Sequence, residues 1–156
     1  MITYRGSLFV IEDAERTKAF YKEILGLRVI QDFNANFTLK GGISFQTKKS
    51  WKTMIHKEEV DITYGSNDAE LYFEADDIDA FAEKLMKHSI TLIHPLQEQE
   101  WGQKVIRFYD PDQHIIEVAE KMDDMIKRLS ATGMSIEQIS TKTMLSEKMV
   151  LRLLHK

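Results

Sequence analysis

One stretch of the sequence decides the fold, and it places one carboxylate: Arg107-Phe-Tyr-Asp-Pro-Asp-Gln-His-Ile-Ile-Glu-Val118. Pro111 sets the backbone angle at a turn corner, neighbouring Asp side chains can bond turn amides, and β-forming residues lie on both sides. The stretch therefore predicts a β-hairpin. Because side chains alternate along a strand, Glu117 points away from the core if Ile116 and Val118 point into it.

The length of the turn predicts the register of this hairpin. A five-residue turn over 110–114 places Tyr109 opposite Ile115 and Arg107 opposite Glu117. An arginine and a glutamate are thus expected as a cross-strand pair on one face of the sheet. That face is either open to solvent or the floor of a cavity.

The composition bounds the class of protein. A chain of 156 residues with 43% hydrophobic and 29% charged residues fits one globular domain, with or without a small appendage. The absence of cysteine excludes disulfides, thiol catalysis and cysteine-ligated metal centres. No apolar run approaches the ~20 residues that span a bilayer, and the first residues do not show the basic segment followed by an apolar one that is typical of a secretory leader. We therefore expect a soluble cytoplasmic protein with no membrane partner.

The net charge of −4 is unevenly distributed. Residues 1–120 hold 14 Lys and Arg against 21 Asp and Glu, whereas residues 121–156 hold 7 against 4. The body is therefore acidic and the C-terminal segment mildly basic. An acidic body argues against polyanion binding, so nucleic acid is not an expected partner.

The hydrophobic periodicity repeats one order of elements twice: a strand, a helix and three strands. Asp13 and Asp77 are predicted N-caps of the two helices, and Gly26 is a predicted C-terminal cap. The pattern predicts an α+β fold of paired βαβββ modules forming a curved sheet that contains a cleft, plus a small helical appendage. The predicted strands are 3–11, 27–33, 36–40, 43–47, 69–75, 91–98, 104–109 and 114–119; the helices are 14–24 and 77–88; the modules are about 1–47 and 69–120, with a connector over 48–68 and a tail over 121–156.

Alternation also assigns the faces of the strands. In the second module Leu71, Phe73 and Ala75 suit the core under the helix, so three polar or aromatic residues share the other face: Glu70, Tyr72 and Glu74. In the first module Phe9 and Ile11 take the core side. Leu8 and Val10 are then expected to line the cleft, with one wall apolar and the other polar.

These residues resemble those of a known family, the vicinal oxygen chelate superfamily of glyoxalases, bleomycin-resistance proteins and extradiol dioxygenases. The resemblance rests on the opening segment 10–27, on Leu71 to Asp77, on Trp101-Gly102 and on the Asp110-Pro111-Asp112 hairpin that ends at Glu117. It covers about residues 1–120 and implies the paired βαβββ fold. Gln113 replaces the glycine usual after the turn, so a non-glycine residue is expected in a left-handed conformation.

The resemblance also implies a divalent-metal site, onto which this chain maps unevenly. The family's last-strand glutamate matches Glu117, its fifth-strand ligand matches Glu70, and the nearest fourth-strand match is Gln46. The usual first-strand histidine falls at Gly6, which has no side chain. A set without imidazole favours a hard ion such as Mg²⁺, Mn²⁺ or Ca²⁺; the divalent cofactors that the resemblance implies are Mg²⁺, Mn²⁺, Ni²⁺ or Zn²⁺.

From these residues we expect a small-molecule binding protein with a partly apolar, anionic ligand between the modules, nearer to the family's resistance members than to its glyoxalases. Arg107 can clamp an anion, or can simply pair with Glu117 or Glu70. The predicted ligand-binding residues are Arg107, Trp101, Tyr109, Tyr72, Phe37, Leu8 and Val10. The alternative is a metal-dependent lyase or isomerase in which Glu117 is the catalytic base or a metal ligand.

The histidines and the tail add two expectations. The five histidines show no ligand spacing and are predicted to be surface or loop residues. The tail predicts three short helices arranged like a helix-turn-helix, which leaves two alternatives: a packing or dimer-forming appendage, or a ligand-sensing DNA-binding segment. Few basic residues begin the last helix, so the appendage is favoured and a homodimer is expected.

Overall fold

The computed structural model describes all 156 residues, Met1–Lys156. Its elements follow the predicted order, strand-helix-three strands twice, with three further helices at the C-terminus. The strands are β1 (Ser7–Ile11), β2 (Val29–Asp32), β3 (Asn36–Leu39), β4 (Ile43–Thr47), β5 (Glu70–Ala75), β6 (Leu92–Glu98), β7 (Lys104–Tyr109) and β8 (Ile115–Glu120). The helices are α1 (Ala14–Leu25), α2 (Lys48–Met54), α3 (Ile78–Met86), α4 (Met122–Ala131), α5 (Ile136–Thr143) and α6 (Glu147–Leu154), with one 3₁₀ turn at Glu59–Asp61.

Two four-stranded sheets have the same topology, which confirms the predicted α+β fold. The first has the order β1-β4-β3-β2 and the second the order β5-β8-β7-β6. In each sheet the leading strand is parallel to the last strand of its module, and the remaining pairs are antiparallel. A helical crossover between parallel strands explains this order, since parallel neighbours need a long connection.

The chain forms two compact units. One comprises Met1–Ala69 with Asp110–His114, and the other comprises Glu70–Tyr109 with Ile115–Lys156. The β7–β8 turn thus belongs to the first unit, and the C-terminal helices belong to the second. The C-terminal helices contact the turn before β7, and the domain boundary at residue 120 stays a prediction.

The core of the first unit lies between α1 and one face of its sheet. Asp13 caps α1 by accepting from the backbone N–H of Arg16, and Gly26 ends the helix with φ 68°. On the sheet, Phe45 pairs with Phe9 on one side and Phe37 on the other, so three aromatic rings share the core face. Burial of such rings dominates the energetics of a small core.

The turn at 110–114 is built into this first unit by its aspartates. The Asp110 carboxylate accepts from the backbone N–H of Asp112 and from the buried Tyr21 hydroxyl, and it pairs with His114. The Asp112 carboxylate accepts from Arg16 at 2.6 Å. Gln113 has φ 66°, which confirms the left-handed conformation expected at this non-glycine position. The deciding stretch of sequence therefore folds through long-range contacts as well as local turn chemistry.

The second unit has a core of the same kind. Asp77 caps α3 by accepting from the backbone N–H of Ala80, as predicted. The helix buries one apolar face against the sheet face that carries Ile106, Phe108, Ile116 and Val118. No helix of the protein is both long enough and apolar enough to cross a membrane.

The three C-terminal helices share a small core of their own within the second unit. Ser135 caps α5 and Ser146 caps α6, each by accepting from a backbone N–H in the first turn of its helix. The core residues are Met125, Ile126, Leu129, Ile139 and Val150. Ile139 and Val150 are fully buried in this core, whereas Met149 is 39% exposed.

Candidate functional site

A row of four side chains crosses one face of the second sheet. Tyr72 on β5 pairs with Glu117 on β8, Glu117 pairs with Arg107 on β7, and Arg107 pairs with His94 on β6. Residues paired across strands project to the same face, so the four form one continuous polar row. The predicted register of Arg107 opposite Glu117 and Tyr109 opposite Ile115 is confirmed.

Arg107 is the centre of this row because three groups hold its guanidinium. Its Nη2 forms an ion pair with Glu117, its Nε donates to Glu70 Oε2 at 3.0 Å, and its Nη1 donates to His94 Nε2 at 3.3 Å. One N–H on each terminal nitrogen is left over from the fork of five donors. The arginine is therefore oriented by the protein and still has donors to offer.

The two carboxylates that hold Arg107 differ in exposure. Glu117 is buried, with only 4% of its surface exposed, whereas the Glu70 side chain is 38% exposed. A buried carboxylate without its partner is costly, so Glu117 has little freedom to leave the arginine. An exposed ion pair contributes little, so Glu70 can exchange for another anion at small cost.

His94 belongs to the site although no motif or spacing in the sequence indicates it. Its Nδ1 lies 2.8 Å from the carbonyl oxygen of Pro95, and its Nε2 faces Arg107. A neutral ring with its proton on Nδ1 satisfies both contacts, since a carbonyl only accepts and an arginine only donates. Irregular pairing of β6 on both sides of His94 hid it from any argument based on alternation.

Tyr72, at one end of the polar row, and Tyr109 place two aromatic rings on the same face of the sheet. Tyr109 pairs with Ile115, which in turn pairs with Glu70, so these residues share the face of Arg107. Tyr72 is half-exposed, and burial of its hydroxyl end raises its pKa. The second sheet therefore brings together Arg107, Glu117, Glu70 and the two tyrosines, as the register predicted.

The first sheet carries the remaining residues predicted for its outward face. Leu8 is 38% exposed and Val10 is half-buried, and both lie opposite the core face. Gln46 is the register partner of Val10; its Oε1 accepts from Asn36 at 2.9 Å, and its Nε2 donates to Ser50. This face is apolar only along β1, because β3 and β4 contribute neutral polar side chains such as Thr38 and Ser44.

Two aromatic residues lie elsewhere than the ligand-binding prediction placed them. Phe37 is fully buried on the core face, stacked on Phe45 with ring centroids 5.2 Å apart. It cannot line the face of Leu8 and Val10, because the register of β3 turns it to the other side. Trp101 packs against the core of the C-terminal helices instead of lining a ligand wall. Its apolar surface is used by the tail.

The side chains do not fit the divalent-metal site that the resemblance implies. Glu70 and Glu117 are both engaged by the Arg107 guanidinium, and both polar ends of Gln46 have neutral partners. At Gly6 a Cβ atom would lie 2.6 Å from the carbonyl oxygen of Gly42, so a ligand side chain has no room there. No group of three or more His, Asp and Glu side chains is arranged to hold a metal ion. The metal set of Glu117, Glu70 and Gln46 stays a prediction.

Comparison with known proteins identifies the class. The model of the family described as a glyoxalase-like domain matches residues 4–123. The chain belongs to this family, and with it to the vicinal oxygen chelate superfamily that the sequence resembles. The match ends within the first turn of α4, so α5 and α6 lie outside it.

Three individual proteins are similar to this chain to different degrees. The solved structure of a protein of unknown function from Agrobacterium tumefaciens is 34% identical, with a TM-score of 0.70 over 78% of this chain and 96% of that chain. The metallothiol transferase FosB of Lysinibacillus sphaericus is 25% identical over 113 residues, 70% of this chain and 76% of that protein. The fosfomycin resistance protein FosX of Mesorhizobium loti shares the fold, at 18% identity and a TM-score of 0.56, over 78% of this chain and 95% of that chain.

Proposed function

We propose that the protein binds a small, partly apolar organic anion on the outward face of its second sheet, with Arg107 as the anion-binding group. The observation that carries this proposal is the guanidinium held between a buried carboxylate and an exposed one. Glu117 keeps the arginine in place and Glu70 is the exchangeable counter-charge. An incoming carboxylate, phosphate or phosphonate takes the place of Glu70 and accepts the two spare N–H groups.

The same face supplies apolar contact next to the charge. The rings of Tyr72 and Tyr109 and the side chain of Ile115 share the face with Arg107. A ligand pocket typically combines a mainly apolar lining with a few oriented polar groups, and this face has both.

The test uses two phosphonates as probes, phenylphosphonate and fosfomycin, the second because FosX, which shares this fold, is a fosfomycin resistance protein. Thermal shift and calorimetric titration of the full chain should show dose-dependent stabilisation by at least one probe. Arg107→Lys should weaken binding, because a point charge replaces the planar fork. Absence of binding by both probes at millimolar concentration contradicts the proposal.

Glu70→Gln tests the exchange step directly. Removal of a competing ion pair worth up to about 1 kcal/mol should tighten probe binding about threefold to fivefold. Glu83→Gln is the matched control: it changes the net charge equally but lies on α3, packed on the other face of the sheet. Equal affinities in Glu70→Gln and Glu83→Gln would mean that Glu70 does not compete for Arg107.

The lyase or isomerase alternative, with Glu117 as base or metal ligand, stays a prediction. Elemental analysis after loading with Mn²⁺ or Ni²⁺ tests it, with Glu117→Gln as the variant that should lose any bound ion. The homodimer is likewise predicted, and light scattering of the purified protein checks it. Gel-shift titration at low salt tests the DNA-binding alternative for the tail, whose α6 exposes Lys148 and Arg152 together with Leu151.

A further inference from the structure

Gln103, which lies just before β7, connects three parts of the second unit through one buried amide. Only 4% of its surface is exposed. Its Oε1 accepts from the indole N–H of Trp101 at 3.1 Å, and its Nε2 donates to the Glu120 carbonyl at 2.7 Å and to the Tyr72 hydroxyl at 3.2 Å. An indole only donates and a carbonyl only accepts, so the amide has one allowed orientation. That orientation aims an N–H at Tyr72.

The C-terminal helices hold the turn that carries this amide. Trp101 packs against the core of α4, α5 and α6. Arg128 on α4 binds the buried Glu120 carboxylate through Nε and Nη2, both at 2.8 Å, and also donates to the Gly102 carbonyl at 2.6 Å. At Gly102 an added Cβ would lie 2.9 Å from Lys142 Cε and 3.1 Å from Leu129 Cδ1. The helices therefore contact the turn so closely that its position depends on them.

The contacts that run from the C-terminal helices through Trp101 and Gln103 end at Tyr72, on the sheet face proposed to bind the ligand. Its hydroxyl accepts from Gln103 and donates to Glu74 Oε1 at 3.1 Å, and its backbone pairs with Glu117. Half of its surface is exposed, so the ring has few other contacts to hold it. The bond from Gln103 lowers the Tyr72 pKa, against the larger effect of burial, which raises it. Loss of the hydrogen bond from Gln103 is therefore expected to raise the pKa of Tyr72.

We infer that the C-terminal helices, through Trp101 and Gln103, hold the Tyr72 side chain in place on the sheet face that carries Arg107 and Glu117, which makes Gln103 a positioning residue of the ligand face. The effect on ligand binding rests on the proposed function, whereas the effect on Tyr72 does not. The tail, which lies largely outside the family match, thus takes part in building the face on which the anion is bound.

The first experiment needs no ligand. The full chain is labelled with ¹³Cζ-tyrosine, and the Tyr72 resonance is assigned by its absence in Tyr72→Phe. Gln103→Met keeps the side-chain volume and removes all three amide hydrogen bonds, so the Tyr72 resonance should shift and its pKa should rise. Trp101→Phe keeps an aromatic ring against the tail core and leaves the bond from Gln103 to Tyr72 in place while removing the indole N–H, so a smaller shift in the same direction is expected. Trp51→Phe, a substitution of the other tryptophan, should leave Tyr72 unchanged.

The second experiment measures phenylphosphonate binding in a double-mutant cycle. Gln103→Met and Tyr72→Phe should each weaken binding about threefold to tenfold, because each removes the hydrogen bond between Gln103 and the Tyr72 hydroxyl that holds the ring in place. The double variant should be no weaker than Tyr72→Phe alone, because Gln103 acts through Tyr72. Additive losses would show that Gln103 acts independently of Tyr72 and would overturn the inference.

The two experiments separate the inference from the proposed function. If the Tyr72 resonance is unmoved in both Gln103→Met and the milder Trp101→Phe, the inference fails whatever the probes do. If the resonance shifts as expected but no phosphonate binds, the proposed function fails and the link from the tail to Tyr72 is supported. Circular dichroism of each variant confirms that the fold is retained before either reading is taken.

Discussion

The two sheets have the same strand order but differ in the chemistry of their central rows. In the first sheet the row is Val10, Gln46 and Asn36, in which a neutral hydrogen bond joins the two amides. In the second sheet the row is Tyr72, Glu117, Arg107 and His94, in which Arg107 forms an ion pair with Glu117 and donates to His94. The repeated topology thus places polar side chains at the centre of both sheets, whereas only the second sheet places charge there. The shared topology therefore determines where polar side chains lie on each sheet, whereas the residue types at these positions determine whether the row is neutral or charged.

The second difference concerns what lies beside each sheet. The second unit includes three helices that bind the β6–β7 turn through Arg128 and Trp101. The first unit includes instead the 110–114 turn, held by Asp110 and Asp112. Each sheet is therefore supported by a segment distant in sequence, and the tail is linked to Tyr72 of the proposed ligand face through Trp101 and Gln103.

The largest expected effect comes from a substitution in the charged row of the second sheet, and a substitution in the neutral row of the first sheet is its comparison. Arg107→Met leaves Glu117 buried without a partner and should lower the free energy of unfolding by about 3–5 kcal/mol. Gln46→Leu removes neutral hydrogen bonds and should lower it by about 1 kcal/mol. Calorimetry of both variants measures the difference. The double variant Arg107→Met with Glu117→Leu should recover most of the loss; equal losses in the two single variants would remove the distinction between the rows.

A smaller effect is expected at the start of the first sheet, where Gly6 takes the place of the family's first-strand ligand. Gly6→Ala puts a methyl group 2.6 Å from the backbone oxygen of Gly42, so the backbone must shift, at a cost of about 1–3 kcal/mol. Gly42→Ala is the control, since its methyl group meets nothing within 4 Å and adds only the strain of its φ of 89°. Thermal denaturation of the two variants compares them. An unchanged melting temperature in Gly6→Ala would show that a side-chain ligand fits here after all.

The smallest expected effect concerns the attachment of the tail to the second sheet. Burial raises the pKa of Glu98, but hydrogen bonds from Arg128 and Lys142 together outweigh burial and hold this pKa below its ordinary value of 4.5. Because the folded-state pKa is depressed, the stabilisation is present above pH 4.5 and is lost as the pH falls through the folded-state value. Glu98 is largely exposed, so the loss should be below about 1 kcal/mol.

Melting temperatures between pH 6 and pH 3.5 check this prediction. Glu98→Gln should be less stable than the wild-type chain at pH 6 and should lose less stability on acidification. Glu100→Gln, two residues along the same turn, is the control for the charge change. Parallel pH profiles for the wild-type chain and Glu98→Gln would show that Glu98 does not attach the tail.

Much of the fold could be predicted because its signals are local. Asp13, Asp77 and Gly26 cap helices through side-chain and backbone chemistry within one turn, and the structure shows each of them doing so. Alternation and a five-residue turn sufficed to pair Arg107 with Glu117. The predicted start of β1 at residue 3 was too early, since the strand begins at Ser7, and strand ends carry weak signals.

The composition of the site was harder to predict because it depends on register and on contacts distant in sequence. Phe37 was assigned to the ligand wall, but pairing of β3 with β4 turns it into the core beside Phe45. Trp101 lies in a turn whose partner, the tail core, follows it in the chain. His94 was set aside as a surface residue, and irregular pairing of β6 brings it to Arg107. No residue close to Gln103 in the sequence indicates that it binds Tyr72.

The sequence by itself determined the elements, their order, the helix caps and the face of each regular strand, because these follow from neighbours within a few residues. The tertiary structure alone decided that Glu70 and Glu117 hold Arg107 together, that His94 joins them, and what holds Tyr72. Glu70 is 37 positions from Arg107, and Gln103 is 31 positions from Tyr72. Contacts of that separation exist only after the strands have paired and the helices have docked, since packing and not local propensity brings such residues together.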